Sequence, residues 1–118
     1  MEENTKYNLE DRTAKFSENV ILFCKEIKKD IIISPLISQI IRSATSIGAN
    51  YMEANSACSK KDFNNKIFIC KKEASETKYW LHMISIASEE SKERARILWK
   101  EAQELTLIFG KIVSSLKN

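Results

Sequence analysis

Few residues in this chain are of the kinds that do chemistry. The only histidine is His82, so it would have to serve as any imidazole base or ligand. A di-metal carboxylate centre in a helical bundle needs Glu-x-x-His pairs on two helices and a Glu from each of two others. The residue three before His82 is Tyr79, so that pattern is absent. No G-x-x-x-x-G-K-[ST], G-x-G-x-x-G or H-E-x-x-H motif occurs. Cys24, Cys58 and Cys70 are odd in number and have no C-x-x-C spacing, which signals neither a disulfide frame nor a zinc site. Cys24 and Cys70 fall on apolar helical patterns, where a free cysteine acts as a small hydrophobe. Glu73 and Glu76 lie one turn apart, but no substrate pocket is signalled around them. The one cluster of convergent polar groups on offer is Arg42, Glu53, Glu73 and Glu76. No catalytic, cofactor-binding or metal-ligating residue is assigned, and no cofactor is expected.

Two charged patterns remain. Lys60, Lys61, Lys71, Lys72 and Lys78 occupy one half of a helix circumference that contains no acid. Such a face can track phosphates through counterion release, or it can simply be solvated. Lys25, Lys28 and Lys29 are possible additions. One aromatic beside them, Tyr79, does not make a stacking platform. The other half carries Asp62, Glu73 and Glu76 beside Ile69 and Trp80, which lie off the core stripe. A large aromatic outside the core and next to charges is a common interface anchor, although it can also cover a bundle edge. Arg42 is the natural partner for one of these carboxylates, within one subunit or across two.

The elements that position these residues are helices. With 118 residues the chain is long enough for one domain and one core. Two Gly and one Pro leave little room for the turns of an all-β fold. The net charge of +3 permits an anionic partner without demanding one. The N-terminus is acidic and polar, unlike a signal peptide, and the longest apolar run, Val20 to Cys24, is far too short to span a bilayer. A cytoplasmic, reducing setting is therefore expected.

Residues 1 to 8 read as loose. A first helix is expected over about 9–29, with Leu9, Phe16, Val20, Phe23, Cys24 and Ile27 inward. A second is expected over 35–56, with Ser34 as its cap and Pro35 at its first position. A third is expected over 60–88, opened by a capping-box variant, Ser59 to Asp62, and a Cys58–Phe63 staple. Its core stripe is Phe63, Ile67, Cys70, Ala74, Thr77, Leu81 and Ile84. A fourth is expected over 92–116, with Leu98, Ala102, Leu105, Phe109, Ile112 and Leu116 inward. Four amphipathic helices of similar length with short connections favour an all-α, antiparallel up-down-up-down four-helix bundle.

The second helix is the unusual one. At about 100° per residue, Leu36, Ile37, Ile40, Ala44, Ile47, Gly48 and Tyr51 form its apolar side. Gln39, Arg42, Ser43, Ser46, Asn50 and Glu53 form the other, with Ser38, Thr45 and Ala49 at the edge. A solvated face is normally written in Lys and Glu, whereas Arg42 is the single charge from Ser38 to Asn50. Short side chains let another backbone come close, so this side is expected to pack against a second copy of the chain, the alternative being an ordinary solvated face.

The run Ile41-Arg42-Ser43-Ala44-Thr45-Ser46-Ile47-Gly48-Ala49-Asn50 resembles the 23S rRNA-intervening-sequence protein family, also known as four-helix-bundle proteins. So do Ser59-Lys60-Lys61-Asp62-Phe63 and Lys72-Glu73-Ala74-Ser75-Glu76-Thr77-Lys78-Tyr79-Trp80-Leu81. The likeness is strong over Ser34 to Leu81, with Tyr51-Met52 departing from the more usual residues. The resemblance implies a left-handed bundle assembling as a homo-oligomeric ring, typically a pentamer, with no enzymatic activity attached. More distantly it points to the accessory variability proteins of diversity-generating retroelements, which bind nucleic acid or a reverse transcriptase. The family's defining positions match Arg42, Ser43, Ser46, Asn50, Glu53, Glu73, Glu76 and Trp80, and with Ile69 these are the expected oligomer-interface residues. The expected function is a non-enzymatic scaffold or binding protein. The alternative is a nucleic-acid-binding accessory protein using Lys60, Lys61, Lys71, Lys72 and Lys78 on the assembled ring.

Overall fold

Asn8 opens the first helix, α1 (Leu9–Glu26), its Oδ1 accepting from the Asp11 N–H at 3.4 Å. Glu10 and Asp11 lie in the first turn, where negative charge complements the helix dipole. The structure, a computed structural model, describes residues 8–116. The expectation of a loose segment therefore lies, apart from Asn8, outside the described residues. α1 stops three residues before the expected Lys29, because Ile27 turns to an extended conformation and buries its side chain. Lys29 then folds back, Nζ donating to the Cys24 carbonyl at 2.9 Å and the Ile27 carbonyl at 3.1 Å. The terminal carbonyls are thus satisfied from beyond the helix rather than by its last turn.

α2 (Ile33–Asn55) begins earlier than expected, and its cap is not Ser34. Asp30 Oδ1 accepts from the N–H groups of Ile32 and Ile33, each at 2.9 Å, while the Asp30 carbonyl accepts from the Ser34 N–H at 3.0 Å. A carboxylate at the N-terminus outcompetes a hydroxyl here, since it both accepts two amides and meets the dipole. Starting at Ile33 also buries that side chain. Pro35 therefore stands at the third helical position instead of the first. α3 (Lys60–Ala87) is capped as expected by Ser59, whose Oγ accepts from the Asp62 N–H at 3.0 Å. Cys58 is exposed, so the staple against Phe63 gains little. A 3-10 turn, Glu89–Ser91, leads into α4 (Lys92–Ser115).

These four helices make up an all-α chain, with no strand among the described residues. The core comes from every helix: Phe16, Val20 and Phe23 from α1, Ile40 and Ile47 from α2, Ile67, Leu81 and Ile84 from α3, and Leu105 and Phe109 from α4. α3 packs along both α2 and α4, and α1 lies against α2 and, more sparsely, α4. α1 and α2 meet closely at Gly48, where a Cβ would stand 3.2 Å from Thr13 Oγ1. Ser17 Oγ bridges the same seam by donating to the Ala44 carbonyl at 3.1 Å. The molecule measures 45 × 30 × 21 Å along its principal axes.

Candidate interaction surfaces

Arg42 projects from α2 across to α3. Its Nη1 reaches Glu73 Oε1 at 3.2 Å, its Nη2 pairs with Glu76, and its Nε lies 3.4 Å from Gln39 Oε1. Trp80, one turn on from Glu76, donates its indole N–H to Glu76 Oε2 at 2.9 Å. The Trp80 hydrogen bond, and then the Arg42 guanidinium, hold the Glu76 carboxyl below the usual carboxylate range against the opposing effect of burial. Arg42 is correspondingly raised, chiefly by Glu76. Arg42, Glu73, Glu76 and Trp80 therefore form one charge-assisted clasp between two helices of the same chain. Trp80 is half-buried against the core and meets Tyr79 edge-on at 5.0 Å.

Ser43 needs a correction. The helical wheel places it on the polar side of α2, yet it is 0% exposed. Its hydroxyl shares a hydrogen bond of 2.9 Å with Thr77 Oγ1 on α3. α2 is flanked by α1 and α3, so its buried arc is wider than an apolar stripe suggests. The short side chains at Ser43 and Thr77 let α3 close in, and the close backbone approach expected of a second copy is made here by the chain's own third helix. The other expected interface residues are less committed. Ser46, Asn50 and Ile69 are half-buried, with Asn50 Nδ2 donating to the Ser46 carbonyl at 2.8 Å, and exposed Glu53 pairs with Lys66 at 2.9 Å.

The lysines of α3 do not act as one face. Lys78 is half-buried, donates to Gln103 Oε1 at 2.6 Å and lies 5.4 Å over the Trp99 ring, so it serves the α3–α4 seam. Lys71 leans over α4 at Gly110. Lys60, Lys61 and Lys72 are exposed. Their helix brings Lys60, Lys71 and Lys78 to one edge and turns Lys61 and Lys72 outward, which the half-circumference pattern did not separate.

A second clasp, not expected from the sequence, ties α1 to α4. Arg12 of α1 reaches α4 through Nε to Glu101 Oε2 at 2.7 Å and Nη2 to Glu104 Oε1 at 2.9 Å. Glu101 and Glu104 sit one turn apart, as Glu73 and Glu76 do, and that repeated spacing was the available signal. A groove of about 600 Å³ runs beside this clasp between α1 and α4, past Asp11, Lys15, Phe16 and Ile97. A second, of about 510 Å³, lies between α3 and α4 and is walled by Leu81, Ile86, Ala95 and Trp99. His82 is exposed at its rim. Burial pushes the Cys24 thiol up to about 11 and the Cys70 thiol up to about 12. Among the described residues no group of three or more His, Cys, Asp or Glu is placed to hold a metal ion, and no helix is long and apolar enough to cross a membrane.

The model of the 23S rRNA-intervening sequence protein family matches residues 5–111. Among solved structures, a protein of unknown function from the S23 ribosomal protein family of Bacteroides thetaiotaomicron shares 32% identity, covering 88% of this chain and 96% of that one, with a TM-score of 0.76. No curated protein matches the chain.

Proposed function

The chain belongs to the 23S rRNA-intervening sequence protein family, and from that premise we propose that it works by assembly and not by catalysis. In this reading it is an up-down-up-down, left-handed bundle that forms a homo-oligomeric ring, most simply a pentamer, and presents a composite surface to a partner. The observation that carries the proposal is the apolar surface of a single subunit. Met52 on α2, Phe68, Tyr79 and Ile86 on α3 and Leu107 on α4 are all large and exposed. Scattered single apolar residues are ordinary, but Phe68, Tyr79 and Ile86 recur at helical spacing on one side of α3, which suits an interaction surface. Multi-angle light scattering tests it: the expected mass is near five times the 13.6 kDa of one chain. A monomer at micromolar concentration overturns the proposal.

A second reading is favoured by the exposed Lys60, Lys61 and Lys72. Five copies of a +3 chain carry roughly +15, and repetition supplies avidity that one subunit lacks. RNA or DNA binding by the assembled ring is then expected to weaken steeply with added salt. Titrating a labelled oligonucleotide at 50 and 200 mM salt checks this, and affinity independent of salt rejects it.

A further inference from the structure

A closed ring joins two unlike faces of each subunit, because every interface in it is heterologous. We propose that these faces are the outward side of α3 and the outer surface shared by α1 and α2, each docking on the other in a neighbouring copy. This rests on the assembly reading above and replaces the Arg42 clasp, whose hydrogen bonds are already spent within one chain.

The first face is built on helical spacing. Phe68, Tyr79 and Ile86 are 11 and 7 residues apart, which stacks them on one side of α3. They are 48%, 55% and 68% exposed. Lys61 and Lys72 share that side at the same spacing, and both are exposed. The face is therefore a row of apolar projections with positive charge along its N-terminal half.

The second face is its complement. Ala14 and Ile21 on α1 and Ala49 and Met52 on α2 are exposed on the outer side of the seam that Gly48 and Ser17 draw together. The residues interspersed on α1 are Glu10 and Glu18, both exposed. Lys25 and Lys28, both exposed, stand beyond Ile21 at the far end, away from Glu10 and Glu18. Low relief between larger apolar side chains accepts projecting rings, and carboxylates meet the lysines.

The placement of the two faces suits closure. α1 and α3 each pack on α2 and α4, so they lie diagonally across the bundle. The first face is centred on α3 and the second on the α1–α2 seam, so they are not diametrically opposed. Faces set at less than a straight angle turn each added copy in the same sense, and a ring results where that rotation closes.

Tyr79→Glu blocks the first face and Met52→Arg the second, and each alters an exposed position. Circular dichroism on both is expected to show unchanged helicity. Each variant alone is expected to show the mass of one chain by light scattering. Mixed at equal concentration, they are expected to give a pair of twice that mass, because one intact copy of each face remains between them. Wild-type mass in either variant overturns the face assignment while leaving assembly standing, as does failure of the two monomeric variants to pair. A monomeric wild type overturns assembly and this inference together. Lys72→Glu with Glu18→Lys gives an independent check: each alone is expected to weaken assembly at least tenfold, and the double variant to recover it. Loss that the double variant does not repair rejects the charge pairing.

Discussion

Glu76 is held from two directions on the surface between α2 and α3. It accepts from Trp80 and from Arg42, and both hydrogen bonds favour its charged form. A carboxylate whose folded pKa lies below its unfolded one contributes stability that is fully present above the unfolded value, about 4.3. That contribution is lost as the pH falls through the lower folded value. Thermal unfolding followed from pH 7 to pH 3 is therefore expected to show a steeper acid decline for the wild type than for Glu76→Gln. Trp80 is the larger cause of the shift, so Trp80→Phe is expected to flatten the same decline. Parallel curves for all three proteins would mean that the clasp does not form in solution.

At the level of single elements, the two ends of the α1–α2 connection separate what the sequence shows from what it hides. Helix periodicity located all four helices, and nearly every residue assigned to a core stripe is buried or packed against the core. Periodicity reports side chains that repeat over several turns, and those are legible one residue at a time. Capping depends on which of several nearby polar groups reaches the free amides. Here Ser34 and Pro35 read as the start, and the carboxylate of Asp30, four residues before Ser34, prevails. Asp30→Ala is expected to cost about 1 kcal/mol, and Ser34→Ala only a few tenths, as read by urea unfolding.

The burial of Ser43 was hidden for a related reason. A hydroxyl looks polar in sequence until a second hydroxyl, Thr77, is found opposite it. The clasp partners Arg42, Glu73, Glu76 and Trp80 were legible because they stand off the apolar stripes. That they join within one chain is visible only once α2 and α3 are seen side by side. Gly48 is another such case. Replacing a helical glycine with alanine normally stabilises by about 1 kcal/mol, but a Cβ here meets Thr13 Oγ1, which is held by the Leu9 carbonyl at 2.7 Å. Gly48→Ala is expected to lower the melting temperature in the wild-type background and to raise it in the Thr13→Ala background.

Across the whole molecule, attachment is uneven. α3 is packed on two long neighbours, whereas α1 is held by α2 on one side and, more sparsely, by α4 on the other, through the Arg12 clasp and the Arg94–Glu26 pair. Amide exchange is expected to be faster in α1 than in α3, since sparse packing lowers the free energy of local opening. Arg12→Ala is expected to widen that difference and to cost about 1–3 kcal/mol, because Glu101 and Glu104 lose a part-buried partner. Equal protection of the two helices would contradict this. The three cysteines are just as unequal: Cys24 and Cys70 are shut inside with suppressed thiolates, while Cys58 stands open between α2 and α3. A maleimide dye added to the native protein will therefore attach at a single point on each chain. Fluorescence transfer between such dyes then reports whether chains come together, without any engineered handle.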